Sequence, residues 1–322
     1  MTRKTILATQ PLDAYATAAF TDVGELIIAT DLSEAGLIKA VKGIDALVVR
    51  GAVPITEAII EHARPTLKVI GRTGVGYDTI DVAAATRAGI AVINTPGVGS
   101  RAVAEAAMAN MLALCKLITH WDHELKSGNW NARYGLQNRD LDEKTLGIVG
   151  LGQIGQLLAE MARPFNMTIV AHDPGLTPER GRELGVELVS LEDLLGRSDF
   201  VSLHCPLIPQ TRGLINRERM ALMKPGAYLI NLARGAVIES LDVLHEGLQS
   251  GQLGGVALDV FDPAPPDINH PIFTFKNCLT SPHSMATSEC AMNRIFRSMT
   301  RDMLAVLNGE PPQFVVNPTS LQ

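Results

Sequence analysis

The chain has 322 residues, 46% hydrophobic and 19% charged, with a formal net charge of −6. That length and balance fit two globular domains with ample material for their cores. They exclude a basic nucleic-acid or membrane-surface protein, and no apolar run reaches the roughly 18 residues of a membrane-spanning helix.

Met1 to Gln10 is a short apolar run broken by polar residues and followed by Pro11, so it reads as a first strand and not as a signal peptide. Further strands are expected at Leu26–Ala29, Ala46–Arg50, Lys68–Ile70 and Ile90–Ile93. Helical patterns lie between them, at Thr56–Ala63 and at Val82–Ala88, the latter stopped by Gly89. A long helix is expected from about Ser100 to Ser127. It is apolar on more than one face, which predicts burial against a second subunit as well as its own sheet. A second strand–helix series starts at Thr145, with strands at Leu146–Val149, Thr168–Ala171, Glu187–Val189, Phe200–His204, Ala227–Leu232, Gly255–Leu258 and Cys278–Thr280. The final helix, Ser288 to Leu307, carries Met292, Ile295, Phe296, Met299, Met303 and Leu304 at helical spacing, a pattern of core packing. Strands alternating with helices throughout predict an α/β protein with parallel sheets. The four cysteines, Cys115, Cys205, Cys278 and Cys290, lack C-x-x-C spacing and are expected to be buried, reduced thiols in a cytoplasmic protein.

The densest signal is Thr145-Leu-Gly-Ile-Val-Gly-Leu-Gly-Gln-Ile-Gly155. A strand runs into Gly150, Gly152 and Gly155, spaced G-x-G-x-x-G, and a helix pattern follows. The first glycine permits a tight turn, the second lets the main chain approach a pyrophosphate, and the third lets helix and strand pack closely. The N–H groups of the helix start would face the phosphates. Asp173 ends the next strand, 18 residues after Gly155, where a carboxylate can accept from a ribose 2′-hydroxyl and repel a 2′-phosphate. This points to NAD as cofactor. Because the motif begins so late, the block before it reads as a separate domain, with linkers near Thr95–Gly99 and Ser281–Ser284.

Hydride transfer also needs a cation to hold a substrate carboxylate and polarise its C2 oxygen, and a proton donor working near neutral pH. Arg234 and His283 each follow a strand's carboxyl end, where ligands of open α/β sheets bind. A surface cation and a loop histidine are the plain alternatives. His120 and His123, three apart, lack partners for a metal, and no metal site is expected.

Several segments together resemble the NAD-dependent D-isomer-specific 2-hydroxyacid dehydrogenases, the family that includes phosphoglycerate dehydrogenase. They are Gly71–Asp81, Val92–Gly97, Val103–Glu105, Gly128–Trp130, Ser202–Leu207 with Thr211, Asn231–Ala236, Ala257–Phe261 and Ser281–His283. The resemblance covers nearly the whole chain. It implies two Rossmann-like or flavodoxin-like doubly wound domains, with the cofactor domain (99–285) inserted into the substrate-binding domain (1–98 and 286–322). It implies that Arg234 and His283 are catalytic. The cofactor would be held by Gly150, Gly152, Gln153, Ile154, Gly155, Asp173, His204, Pro206, Thr211, Ala233 and Asp259. Arg50, Arg72, Gly74, Val75 and Gly76 would bind the substrate, with the two arginines suited to a second anionic group on it. The expected partner is a small 2-hydroxy or 2-oxo acid, and the expected assembly a homodimer. An NADH-sensing regulatory protein on the same fold is the alternative. The chain departs from the family at Ala264, where a glutamate is expected to orient the histidine, and at Met285, where small residues are usual. Asp262, Asp267 and Glu289 are candidates to replace that glutamate.

Overall fold

A computed structural model describes residues 3–321. One compact unit runs up to Gly99 and resumes at Thr287; Ser100–Ala286 form the other.

The first unit holds β1 (Lys4–Ala8), β2 (Gly24–Ile28), β3 (Ala46–Val49), β4 (Val69–Arg72) and β5 (Ala91–Ile93). They pair in parallel in the order β2-β1-β3-β4-β5. Alternate residues enter two cores. Ile6, Val48, Val69 and Ile93 pack with Phe296, Met299 and Met303, while Leu7, Leu47, Ile70 and Val92 pack with Ile59 and Ile60. Both faces are covered, so these strands are apolar on both sides. The methionines of the final helix, Glu289–Leu307, are therefore core residues. Beyond it, the Asn317 amide closes the edge of β5: its Oδ1 accepts Val92 N–H at 2.8 Å and its Nδ2 donates to the Ile90 carbonyl at 2.9 Å.

The second unit holds β6 (Thr145–Val149), β7 (Thr168–His172), β8 (Glu187–Leu188), β9 (Phe200–Leu203), β10 (Ala227–Asn231), β11 (Leu253–Leu258) and β12 (Cys278–Thr280). Their order is β12-β11-β10-β9-β6-β7-β8, and every pair is parallel. The order reverses between β6 and β9, and a crevice for ligands forms at such a reversal. Leu146, Ile148, Phe200 and Ile230 form a core with Met111 and Leu158 from the helices Ser100–Cys115 and Gln153–Ala162. Val201, Leu203 and Leu229 face Leu194, Val243 and Leu244 on the other side.

Two expectations are corrected. The long helix from about Ser100 to Ser127 is two helices, Ser100–Cys115 and Ile118–Lys126, bent by 56°. Leu117 adopts the left-handed conformation (φ 50°, ψ 38°) that ends the first helix, although neither Gly nor Pro marks the break. The first helix is anchored on the sheet by Ala104, Met111 and Leu114, whereas the second has no buried residue. Not all the cysteines are buried: Cys290 is exposed in the first turn of the final helix, and Cys278 is half-buried.

Candidate active site

The cofactor candidates collect along the carboxyl edge of the seven-stranded sheet. Gly150 follows β6 with φ +93°, where a side chain would be strained, and a Cβ there would lie 2.7 Å from Cys205 N across the reversal point. A Cβ at Gly155 would lie 2.4 Å from the Gly150 carbonyl oxygen, so helix and turn touch. Gly152 differs from both, since a Cβ there meets nothing within 4 Å. The helix Gln153–Ala162 starts at Gly152 without a side-chain cap. The helix's first N–H groups, beginning with those of Gln153 and Ile154, thus border an open space suited to an anion.

Asp173 follows β7. Its carboxylate accepts Leu151 N–H at 2.8 Å and Gly175 N–H at 2.9 Å, tying the glycine turn to the acid. Sequence reasoning missed this link, because a main-chain donor leaves no residue-type signal. His204 follows β9, and its Nε2 lies 2.9 Å from the Ser202 hydroxyl. Its Nδ1 is sealed from solvent without a hydrogen-bond partner, and burial pulls the imidazole down to about 4. His204 is therefore neutral at physiological pH. Burial also pushes the Cys205 thiol up to about 11, which keeps it protonated. The Thr211 hydroxyl donates to the Pro206 carbonyl at 2.6 Å and accepts Ile208 N–H at 2.9 Å, closing the loop 206–211 on itself.

Arg234 follows β10. The fully buried Asn231 folds its turn: Oδ1 accepts Ala233 N–H at 3.0 Å and Nδ2 donates to the Arg234 carbonyl at 2.9 Å. Asp259 follows β11 and is 4% exposed. His283 follows β12, is exposed, and has φ +53°. Arg234, Asp259 and His283 thus stand at the ends of three neighbouring strands of one sheet. Of the candidates for the missing carboxylate at 264, Asp262 pairs with Arg212 at 3.4 Å and Asp267 accepts Asn269 N–H at 2.9 Å. Glu289 belongs to the other unit, in the first turn of Glu289–Leu307.

In the first unit the substrate candidates also line a carboxyl edge. Arg50 follows β3 and Arg72 ends β4, with Val49 and Arg72 in register. Arg50 Nη1 donates to the Pro11 carbonyl at 2.5 Å, and Arg72 Nη1 donates to the Thr73 carbonyl at 3.0 Å. Gly74, Val75 and Gly76 form the loop after β4, pinned where Asn94 Nδ2 donates to the Val75 carbonyl at 2.8 Å. His120 lies against Trp121, 4.7 Å between ring centroids, and among the described residues no group of three metal-ligating side chains is placed to hold an ion.

The sequence profile of the D-isomer specific 2-hydroxyacid dehydrogenase NAD binding domain matches residues 108–285, the span that carries the glycine turn, Arg234 and His283. D-3-phosphoglycerate dehydrogenase of Methanocaldococcus jannaschii is 42% identical over 313 residues, 97% of this chain. The chain belongs to the D-isomer specific 2-hydroxyacid dehydrogenase family. It spans 59% of the length of that phosphoglycerate dehydrogenase. Hydroxypyruvate reductase of Thermotoga maritima is 41% identical over 298 residues, 92% of this chain and 95% of that protein. Among solved structures, the TT0316 protein from Thermus thermophilus superposes with a TM-score of 0.89 at 36% identity, covering 97% of this chain and 99% of that one. The family's NAD-binding domain thus lies within the second unit, and the open helix start, the glycine turn and Asp173 fit that dinucleotide.

Proposed function

We propose that the chain is an NAD-dependent oxidoreductase acting on C2 of a small D-2-hydroxy acid or the matching 2-oxo acid. The observation that carries this reading is the shared edge: Arg234 and His283 end strands of the same sheet whose β6 ends in the glycine turn. NADH bound there would supply the hydride. Val75 and Gly76 N–H groups hold the substrate carboxylate. Arg234 polarises the C2 carbonyl, drawing electron density from it. His283 gives its proton to the C2 oxygen during reduction and takes it back during oxidation. Gln153 and Ile154 N–H groups would hold the pyrophosphate, Asp173 would accept from the ribose hydroxyls, and His204, Pro206, Thr211, Ala233 and Asp259 would complete the cofactor's surroundings. Arg50 and Arg72, side by side at the ends of β3 and β4, favour a substrate with a second anionic group. The protein works in the cytoplasm as a homodimer formed through the cofactor unit, with no nucleic-acid or membrane partner.

The test is NADH oxidation with hydroxypyruvate, glyoxylate, phosphonooxypyruvate, sulfopyruvate and oxaloacetate, repeated with NADPH. Turnover with NADH and much less with NADPH is expected, highest for an acid with a second anion. No turnover with any of the five would overturn the reading, and fastest turnover with glyoxylate would remove the second-anion site.

A further inference from the structure

The loop that carries His283 is closed on one buried carboxylate. Ser281 N–H donates to the Leu258 carbonyl at 3.0 Å, which sets the start of the loop beside the end of β11. The Ser281 hydroxyl then donates to Asp259 Oδ1 at 2.6 Å. The same oxygen accepts Ser284 N–H at 2.8 Å, and Met285 N–H lies 3.3 Å from both oxygens. Between these anchors, His283 N–H donates to the Ser281 carbonyl at 3.1 Å, and His283 itself takes φ +53°. A β-carbon residue seldom holds that conformation unless its surroundings impose it. Here the residues on both sides of His283 are tied to Asp259, which is 4% exposed. At 2.6 Å the Ser281 hydroxyl bond lies at the short end of the O–H···O range.

Position 264, where relatives are expected to carry a glutamate against the histidine, is an exposed alanine here. Asp262 and Asp267 are turned to Arg212 and Asn269. We propose that Ser281 is a positioning residue: locked on Asp259, it fixes the main chain of the His283 loop and so sets where the imidazole delivers its proton. The inference rests on the reading of His283 as proton donor, and it assigns Ser281 no contact with substrate or cofactor.

Ser281→Ala removes the hydroxyl and leaves Asp259 and His283 in place; Ser281→Thr restores a hydroxyl. The expected result for Ser281→Ala is a fall in kcat of about tenfold, the scale of a small misplacement of a reacting group. KM for the oxo acid and Kd for NADH should stay within about twofold of the unaltered protein, and Ser281→Thr should recover most of kcat. Unchanged kcat in Ser281→Ala, or parallel losses in NADH binding and KM, would overturn the proposal. Amide hydrogen exchange at Ser284 and Met285 provides a readout without turnover. It should speed up in Ser281→Ala and return toward the original rate in Ser281→Thr; no change would also overturn the proposal. If the unaltered protein reduces none of the acids, the functional reading fails while the exchange experiment still decides whether Ser281 holds the loop.

Discussion

His204 shows how a single residue acquires its character from its place at a strand end. In sequence it is a histidine in a cofactor-loop motif, able to titrate near neutrality. In the fold its ring leans on the Ser202 hydroxyl, its Nδ1 is sealed, and burial lowers it from 6.5 to about 4. The unfolded chain takes up a proton as pH falls through 6.5, and the native state does so only near 4. The unfolded state therefore binds more protons in that window, and stability falls as pH drops through it, by up to on the order of 3 kcal/mol from this one group. His204→Asn should flatten the fall of Tm between about pH 6.5 and 4.5 relative to the unaltered protein. An NMR titration that places His204 above about pH 6 would contradict the assignment. Asp173 carries a similar lesson. Its spacing predicts a ribose acceptor, and its carboxylate also holds Leu151 N–H, so the acid shapes the glycine turn as well.

Among elements, the loops at the carboxyl ends of β10 and β11 depend on each other. A Cβ at Gly235 would lie 2.1 Å from the Phe261 carbonyl carbon and 2.5 Å from Asp262 N, both main-chain atoms. The loop carrying Arg234 and the loop following Asp259 therefore approach as closely as two backbones can. Gly235→Ala should force them apart, costing about 1–3 kcal/mol of stability as an overpacked site does. Urea unfolding would read that loss, and kcat should fall with it because Arg234 moves. A variant of full stability and full activity would show that the loops can separate freely. The break at Leu117 belongs to this scale too. Apolar spacing continues across it, so periodicity alone predicts one helix. The left-handed residue and the departure of Ile118–Lys126 from the sheet depend on where packing ends.

For the molecule as a whole, the segment after that break is conspicuous. Ile118, Leu125, Trp130, Tyr134 and Leu136 are each more than half exposed, with Tyr134 at 76%. A run of large apolar side chains open to water marks an association surface, and this is the ground for the proposed homodimer. Light scattering at micromolar concentration should give twice the chain mass of 34.5 kDa. Leu125→Asp with Trp130→Asp should yield a folded monomer. A monomeric mass for the unaltered protein would remove the dimer.

The sequence by itself determined the strands, their parallel α/β character, the glycine turn with its acid, and the strand-end places of Arg234 and His283. These are local properties: apolar runs, glycine spacing and turn residues act over a few positions, and each leaves its mark in neighbouring letters. Only the tertiary structure decided which partners those side chains meet. Ser281 reaches Asp259 across 22 positions, Leu151 N–H reaches Asp173 across 22, and Asn317 closes the edge of β5 from 225 positions beyond Val92. Such bonds form because strands distant in sequence lie side by side in a sheet. A serine, an asparagine or a main-chain amide carries no sign of its partner until the sheet has assembled.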